Sequence, residues 1–372
     1  MGGVERVFDE VSKRLARRGH EVSLLCSSPT DTPVRYEDGV RFIRVRRKGT
    51  LLRAPIAGIS EHLPHDADLV HVAATYPFTT PSVLRQARDM GIPSILDFHF
   101  EPSLDSTFGK IASGMYRYVG PTAYPLAETV LLRSTAYGRR AKSLQSVPES
   151  RWRIVPNGID PERFNANVPF DEEGYLLFVG RLVPYKGLEV LLHALARSYL
   201  GHPLVIAGDG PLRGRLEALA KHLRVDVTFL GHVSDDDLPS LYRGASLTVL
   251  PSVNGQEAFG ISLIESMACG TPVVASGLPG VAEVAQNGGY TATPGDPDAL
   301  AIALRRALEP GRLPRGAGLA SKIHDRYSWD AVTDRLVDVY DEVLSGAARG
   351  RSNPPNIAKR TSRAHTRDDA VL

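Results

Sequence analysis

Cysteine is scarce, with Cys26 and Cys269 the only two in 372 residues. They stand far apart, without CxxC spacing or histidines at ligand spacing. This excludes a disulfide scaffold and a zinc site, and makes a reducing compartment the expectation. No run approaches the roughly 18 apolar residues that cross a membrane, and no apolar signal segment follows Met1. The expected location is the cytoplasm, or a peripheral position on the inner face of the membrane. Disordered and collagen-like classes are excluded too, because 42% hydrophobic and 23% charged residues is ordinary for a globular chain.

The length suits about two domains, each able to bury a core. The near-neutral formal charge of +2 conceals a division. Residues 1–165 carry net +5, residues 166–345 net −7, and residues 346–372 net +4. Such an asymmetry suggests that the two halves handle different ligands, and an uneven distribution by chance is the plainer alternative.

Short apolar runs alternate with amphipathic stretches. The first series of expected strands is Glu21–Cys26, Arg41–Arg46, Leu69–Val72, Ser94–Phe98 and Thr129–Arg133. The second is Tyr175–Gly180, Pro203–Ala207, Asp226–Leu230, Ala245–Leu250 and Pro272–Ala275. Strands alternating with helices predict α/β domains with parallel sheets covered on both faces. The expected division is an N-terminal domain over 1–165 and a C-terminal domain over 166–328. A helix over 329–344 returns to the first domain, and a basic, disordered tail covers 346–372. In the opening helix Val4, Val7, Phe8, Val11 and Leu15 share one arc, and Gly19 closes it. A doubly wound domain normally begins with a strand, yet Gly2-Gly3 leads directly into this helix, so a missing first strand is expected.

The stretch Glu257 to Glu265 follows a strand and opens a helix. Amides at a helix N-terminus suit a diphosphate, and Gly260 allows a close backbone approach. Its two carboxylates are eight residues apart, about 12 Å along a helix. They could therefore hold hydroxyls on either side of a diphosphate, as the hexose and ribose of a nucleotide sugar require. Spacing alone leaves two solvated surface glutamates as the plainer reading. Arg181 and Lys186 follow another strand's carboxyl end, where open α/β sheets bind ligands. Taken with the helix N-terminus, they complete a diphosphate cradle.

Gly180-Arg181 with Lys186-Gly187, Ala207 to Pro211, Phe229 to Val233, Glu257 to Glu265 and Ala268 to Val274 together resemble the family 4 retaining glycosyltransferases of the GT-B fold. The resemblance covers residues 2 to about 345. It is less specific in the first half, at Gly2-Gly3-Val4-Glu5, His99 and Pro156 to Asp160. It implies two Rossmann-like domains facing across a cleft, the first binding an acceptor and the second a UDP- or GDP-sugar donor. The nucleotide sugar is a co-substrate, so no cofactor is expected. By position, Glu257 would orient the donor sugar and Glu265 would hold the ribose. Arg181, Lys186 and the backbone of Ala258, Phe259, Gly260 and Ile261 would bind the diphosphate, with Gly2 and Gly3 contributing from the first domain. Backbone at His232 and Val233 would meet the nucleobase. His99 would approach the reacting sugar, although a buried structural histidine is its plainer reading. The implied reaction is front-face transfer of a hexosyl or N-acetylhexosaminyl group to a glycan, lipid-linked or metabolite acceptor, without metal. An epimerase of the same fold and a non-catalytic nucleotide-sugar binder are the competing readings.

Other signals are weaker. Gly208-Asp209-Gly210 invites a dinucleotide reading, but its third glycine, Gly214, comes one position late. Asp235-Asp236-Asp237 more simply charges a helix N-terminus than binds metal. Two basic sets, Arg6, Lys13, Arg14, Arg17 and Arg18, and Arg44, Arg46, Arg47 and Lys48, could meet an anionic membrane surface or a phosphorylated acceptor. Solvated surface charge is the alternative. No nucleic-acid motif accompanies them.

Overall fold

The structure is a computed structural model. It describes residues 3–350 apart from 31–33, 52–53, 75, 77–78, 100–113, 115–117, 119, 168–173 and 199. Gly2 and residues 351–372 lie outside the described residues.

The first half opens with α1 (Gly3–Arg17), whose Val7, Val11 and Leu15 are buried as the apolar arc requires. Gly19 ends it with a φ of 90°, open to glycine at little cost. Strands β1 (Val22–Ser28), β2 (Arg35–Glu37) and β3 (Val40–Arg46) form one sheet in the order β1-β3-β2, with β1 and β3 parallel. A hairpin of β4 (Gly49–Leu51) and β5 (Ala54–Ile56) follows. Then β6 (Val70–Ala73), α2 (Thr79–Asp89), β7 (Ser94–Phe98), β8 (Thr129–Leu132), α3 (Thr135–Arg140) and β9 (Trp152–Ile154) build a parallel sheet, β6-β7-β8-β9. Among the described residues no strand joins β1 to β6, and helix α1 is the first element. All five residues of β7 are buried, whereas six of seven in β1 are only half-buried.

The second half is one continuous sheet. Its strands are β10 (Tyr175–Val179), β11 (Leu204–Ala207), β12 (Val227–Gly231), β13 (Ala245–Leu250), β14 (Val273–Ser276) and β15 (Gly289–Ala292), in the order β12-β11-β10-β13-β14-β15, all parallel. Helices α4 (Leu188–Ser198), α5 (Arg213–Leu223), α6 (Leu238–Gly244), α7 (Ile261–Ala268), α8 (Val281–Ala285), α9 (Pro297–Leu308) and α10 (Ala317–Tyr327) connect and cover it. Apolar runs such as Tyr-Leu-Leu-Phe-Val in β10 are what burial on both faces demands. Asp296 caps α9 by accepting from the amides of Asp298 and Ala299, with Pro297 preset at the first helical position.

The chain crosses between halves twice, side by side: Ile159 N donates to Tyr327 O (2.8 Å), and Trp329 N donates to Ile159 O (2.9 Å). The second crossing starts α11 (Trp329–Gly350), whose first turn Ser328 caps through the amide of Ala331. Its Val332, Leu336, Val339 and Val343 pack with the apolar stripe of α1 over Ile95 and Leu131. Each such burial contributes about 1.5–3 kcal/mol. The helix continues to Gly350, past the expected end at 344, so residues 346–350 are helical rather than disordered. A lone glycine at 346 costs only about 1 kcal/mol and does not stop a helix. The strands the sequence did not announce, β2, β4, β5, β9 and β15, are three or four residues long, too short for period-two alternation to register.

Candidate functional site

In the second sheet, β10 and β13 are central neighbours from which the chain proceeds to opposite sides, to β11 and to β14. A crevice beyond the carboxyl ends of such a pair is where open α/β sheets bind ligands. Two loops meet there. The loop after β10 holds Arg181 and Lys186, and the loop after β13 holds Glu257. They are joined by Val253 N donating to Tyr185 O at 2.8 Å. The approach is tight enough that a Cβ on Gly187, which has a φ of 69°, would lie 2.0 Å from Pro251 O.

That contact brings Lys186 to Glu257, with Nζ 2.5 Å from Oε2 and both side chains largely buried. Ser252 Oγ donates to the same oxygen at 3.3 Å. Arg181 lies near them in sequence but is exposed. The helix after Glu257 starts only at Ile261, so Glu257 sits in the loop and Glu265 alone is helical. The 12 Å helical separation therefore does not apply. Gly260 precedes α7 at φ 84°, where a Cβ would press on Leu250 and Leu263. Ala258 and Phe259 are buried, and Phe259 packs edge-on against Tyr327 with centroids 6.0 Å apart.

Glu265 accepts a hydrogen bond from Tyr242 Oη at 2.8 Å and keeps part of its surface open. Burial pushes its carboxyl above the ordinary value, against the Tyr242 bond and the charge of Arg6. Burial and Glu265 together push the Tyr242 phenol well up, so it stays a donor. His232 is exposed and Val233 half-buried, immediately past β12. The three aspartates are engaged in part: Arg163 reaches Asp236 at 3.2 Å, Arg6 lies 3.6 Å from Asp235, and Ser234 Oγ donates to Asp237 at 2.6 Å.

The first half meets this loop directly. Ala258 joins a buried apolar cluster made otherwise of first-half residues, Leu96, Phe98 and Tyr137 among them, Tyr137 Oη donates to Gly255 O (3.0 Å), and Ser134 Oγ donates to Glu283 (2.7 Å). His99 follows β7 on this side, but its ring lies in a buried network. Nε2 is 3.2 Å from Asp97 Oδ2, and Arg133 Nη2 is within 3.3 Å of both ring nitrogens. Arg133 also holds both Asp97 oxygens at 2.7 and 2.8 Å and donates to Val155 O. His71 adds a contact to Asp97 at 3.5 Å and a bond to Tyr340 Oη of α11 at 2.8 Å. Burial alone would raise Asp97, but Arg133 and His99 outweigh it and hold the carboxyl well below its usual range. Burial, with help from Arg133, lowers His99 against the pull of Asp97. Gly3 begins α1.

Asp97, Arg133, Tyr242 and Ser252 are the participants that sequence reasoning missed. The signal for Asp97 was present: it is a charge inside an apolar strand, two residues from His99 and so on the same face.

Comparison with known proteins accords with this geometry. The family described as Glycosyl transferases group 1 matches residues 160–321, and the one described as Glycosyltransferase Family 4 matches residues 1–163. The phosphatidyl-myo-inositol mannosyltransferase of Mycobacterium tuberculosis is 30% identical over 377 residues, covering 94% of this chain and 95% of that protein. The chain is a family 4 glycosyltransferase. A D-inositol 3-phosphate glycosyltransferase of Acidothermus cellulolyticus is 29% identical, covering 92% of this chain and 86% of its own. An uncharacterised glycosyltransferase of Methanocaldococcus jannaschii is 37% identical over 219 residues, a match spanning 53% of this chain and 56% of that relative. Among solved structures, sucrose-phosphate synthase from Thermosynechococcus elongatus superposes with a TM-score of 0.71 at 22% identity, covering 93% and 94% of the two chains. Anabaena HepE in complex with UDP-glucose gives 0.69 at 20% identity, covering 92% and 96%. The fold of this glycosyltransferase is GT-B. No described helix is long and apolar enough to cross a membrane.

Proposed function

We propose that this glycosyltransferase moves a sugar from a UDP- or GDP-sugar to an acceptor hydroxyl with retention of configuration and without a metal. The observation that carries this reading is the meeting of Lys186, Glu257 and the start of α7 at the β10/β13 crevice, with Glu265 farther along the same helix. Lys186, Arg181 and the first amides of α7 offset diphosphate charge, which grows as the bond from sugar C1 to phosphate oxygen breaks. The acceptor oxygen bonds to C1 on the same face, and its proton passes to the departing phosphate. Glu257, held by Lys186 and Ser252, retains lone pairs for donor-sugar hydroxyls. Glu265, with one oxygen on Tyr242, retains the other for a ribose hydroxyl. Backbone past β12 at His232 and Val233 supplies the edge for a base. The site sits on the cytoplasmic side in this reading, free or on an anionic membrane surface.

The test is release of nucleotide from a panel of UDP- and GDP-sugars with and without acceptors. Acceptor-dependent release is expected, with kcat falling about 10²–10³-fold in Glu257→Ala while the unfolding curve is retained. Undiminished turnover by Glu257→Ala would reject the assignment of this site.

A further inference from the structure

The loop that carries Glu257 is held from both halves. Within the second half it is fixed at its two ends, by Val253 N donating to Tyr185 O (2.8 Å) and by Phe259 lying edge-on to Tyr327 with centroids 6.0 Å apart. Between those ends the backbone on either side of Glu257 is held from the first half. Tyr137 Oη donates to the carbonyl of Gly255, two residues before the carboxylate, at 3.0 Å. Ala258, the residue after it, is buried in the apolar cluster that contains Leu96, Phe98 and Tyr137. A tight turn joins these points: Gln256 N donates to Asn254 Oδ1 (3.0 Å) and Glu257 N to Asn254 O (3.3 Å). A shift of Gly255 is therefore passed on to Glu257.

Tyr137 is placed in turn by Ser134. The Ser134 hydroxyl accepts from Tyr137 N at 3.1 Å, which caps α3, and donates to Glu283 of α8 at 2.7 Å. One hydroxyl does both, because it carries one donor and two acceptor sites. Ser134 is buried and Glu283 exposed, so the bond ties the base of α3 to the surface of a second-half helix. The fit there is close: a Cβ on Gly280, at φ 82°, would lie 2.1 Å from Ala258 O and 3.4 Å from Ser134 Cβ. On the other side the Tyr137 ring lies 6.5 Å from that of Phe98, the residue before His99. Tyr137 thus spans from the end of β7 to the loop of Glu257. By contrast, Glu265 and its partner Tyr242 both belong to the second half.

Resting on the transfer reading above, we propose that Tyr137 is a positioning residue for the donor sugar. Its hydroxyl holds Gly255, and through that loop it keeps the Glu257 carboxylate where the sugar hydroxyls meet it. Ser134 and Glu283 set the direction from which Tyr137 reaches the loop. Loss of the Tyr137 hydroxyl frees the loop without removing any group that touches the donor. The effect falls on transfer of the sugar and spares the nucleotide, whose ribose carboxylate is fixed within the second half.

The full chain is compared with Tyr137→Phe, which keeps the ring in its cluster, and with Glu283→Ala, which changes an exposed position and leaves the core untouched. kcat and KM are read from nucleotide release with UDP- and GDP-linked hexoses and N-acetylhexosamines, and Kd for UDP and GDP from calorimetry. In Tyr137→Phe kcat is expected to fall about tenfold, within the roughly 10²-fold that a 1 Å misplacement costs, while nucleotide Kd and the unfolding curve are retained. Glu283→Ala is expected to show a smaller fall of the same kind. An unchanged kcat in Tyr137→Phe overturns the proposal, and so does a loss of UDP and GDP affinity in step with kcat, which reports general disruption. Glu257→Ala, run alongside, separates this outcome from the donor reading. If Glu257→Ala loses turnover and Tyr137→Phe does not, the proposal alone falls; if Glu257→Ala keeps turnover, the donor reading falls and the proposal with it.

Discussion

The two halves each bury a carboxylate next to a donor, and the two arrangements are opposite in kind. In the first half Asp97 is saturated: Arg133 takes both oxygens, His99 and His71 approach one of them, and Tyr340 closes the chain from α11. In the second half Glu265 has one bond, from Tyr242, and an open edge. Glu257 has Lys186 and Ser252 both on one oxygen, Oε2. A carboxylate with both oxygens bonded inside the fold serves structure, although Arg133 Nε and His71 Nε2 beside it have no hydrogen-bond partner among the described residues. An unsaturated one beside a crevice is a place for hydroxyls to bind. The sheets differ in the same way. The continuous six-stranded sheet of the second half aims two loops at a single crevice, whereas the strands of the first half fall into separate sheets bridged by helices α1 and α11.

The comparison breaks most readily at Asp97. Asp97→Asn leaves Arg133, which is 5% exposed, buried without its counter-charge, and a loss of about 3–5 kcal/mol is expected. Urea unfolding of the full chain measures this, and Asp97→Asn/Arg133→Met should recover part of the loss by removing the orphaned charge. A loss under about 1 kcal/mol would mean that the network is not what holds β7 to β8. A smaller effect follows from Tyr242→Phe. Removing one neutral donor costs about 0.5–1.5 kcal/mol of stability, and the freed Glu265 carboxylate becomes less well placed. Nucleotide affinity should fall about fivefold by calorimetry. Unchanged affinity would separate Glu265 from the nucleotide.

How much of this was legible in the sequence follows the same contrast. The crevice of the second half was readable in part because its candidate residues lie in short contiguous stretches, strand then loop then helix: Arg181 with Lys186, and Glu257 through Glu265. All ten expected strands overlap observed ones to within two residues at each end, and Ala245–Leu250 and Ser94–Phe98 coincide. The pairing of Lys186 with Glu257 was not readable, since it depends on two loops 71 residues apart being joined by Val253 and Tyr185. His99 was singled out for its position after a strand. Its actual surroundings come from Arg133 on the next strand, His71 on the previous one and a helix more than 200 residues later. No periodicity encodes such long-range convergence. The neutralisation of the basic residues on α1 was equally hidden, because its carboxylates come partly from Asp38 and Asp334.

The gentlest effect concerns pH. His99 is held below its ordinary value, so between its folded and unfolded values, the latter near 6.5, the unfolded chain binds more protons than the folded one. Stability therefore rises with pH across that interval and falls as acid is added below about 6.5. Asp97, also lowered, contributes in the same direction but only at more acid pH, below about 4. Glu265 works against both: its raised value means that the folded state keeps a proton the unfolded state releases. Its contribution is thus present at low pH and lost as pH rises from about 4.5 toward the folded value. Denaturant unfolding at a series of pH values between 7.5 and 5 should show a shallow decline on acidification in the parent chain and a shallower one in His99→Gln. If the two slopes coincide, folding leaves the protonation of His99 unchanged; if the parent is instead stabilised by acid relative to His99→Gln, the histidine is charged in the fold and the cluster would have to be redrawn with a cation in it.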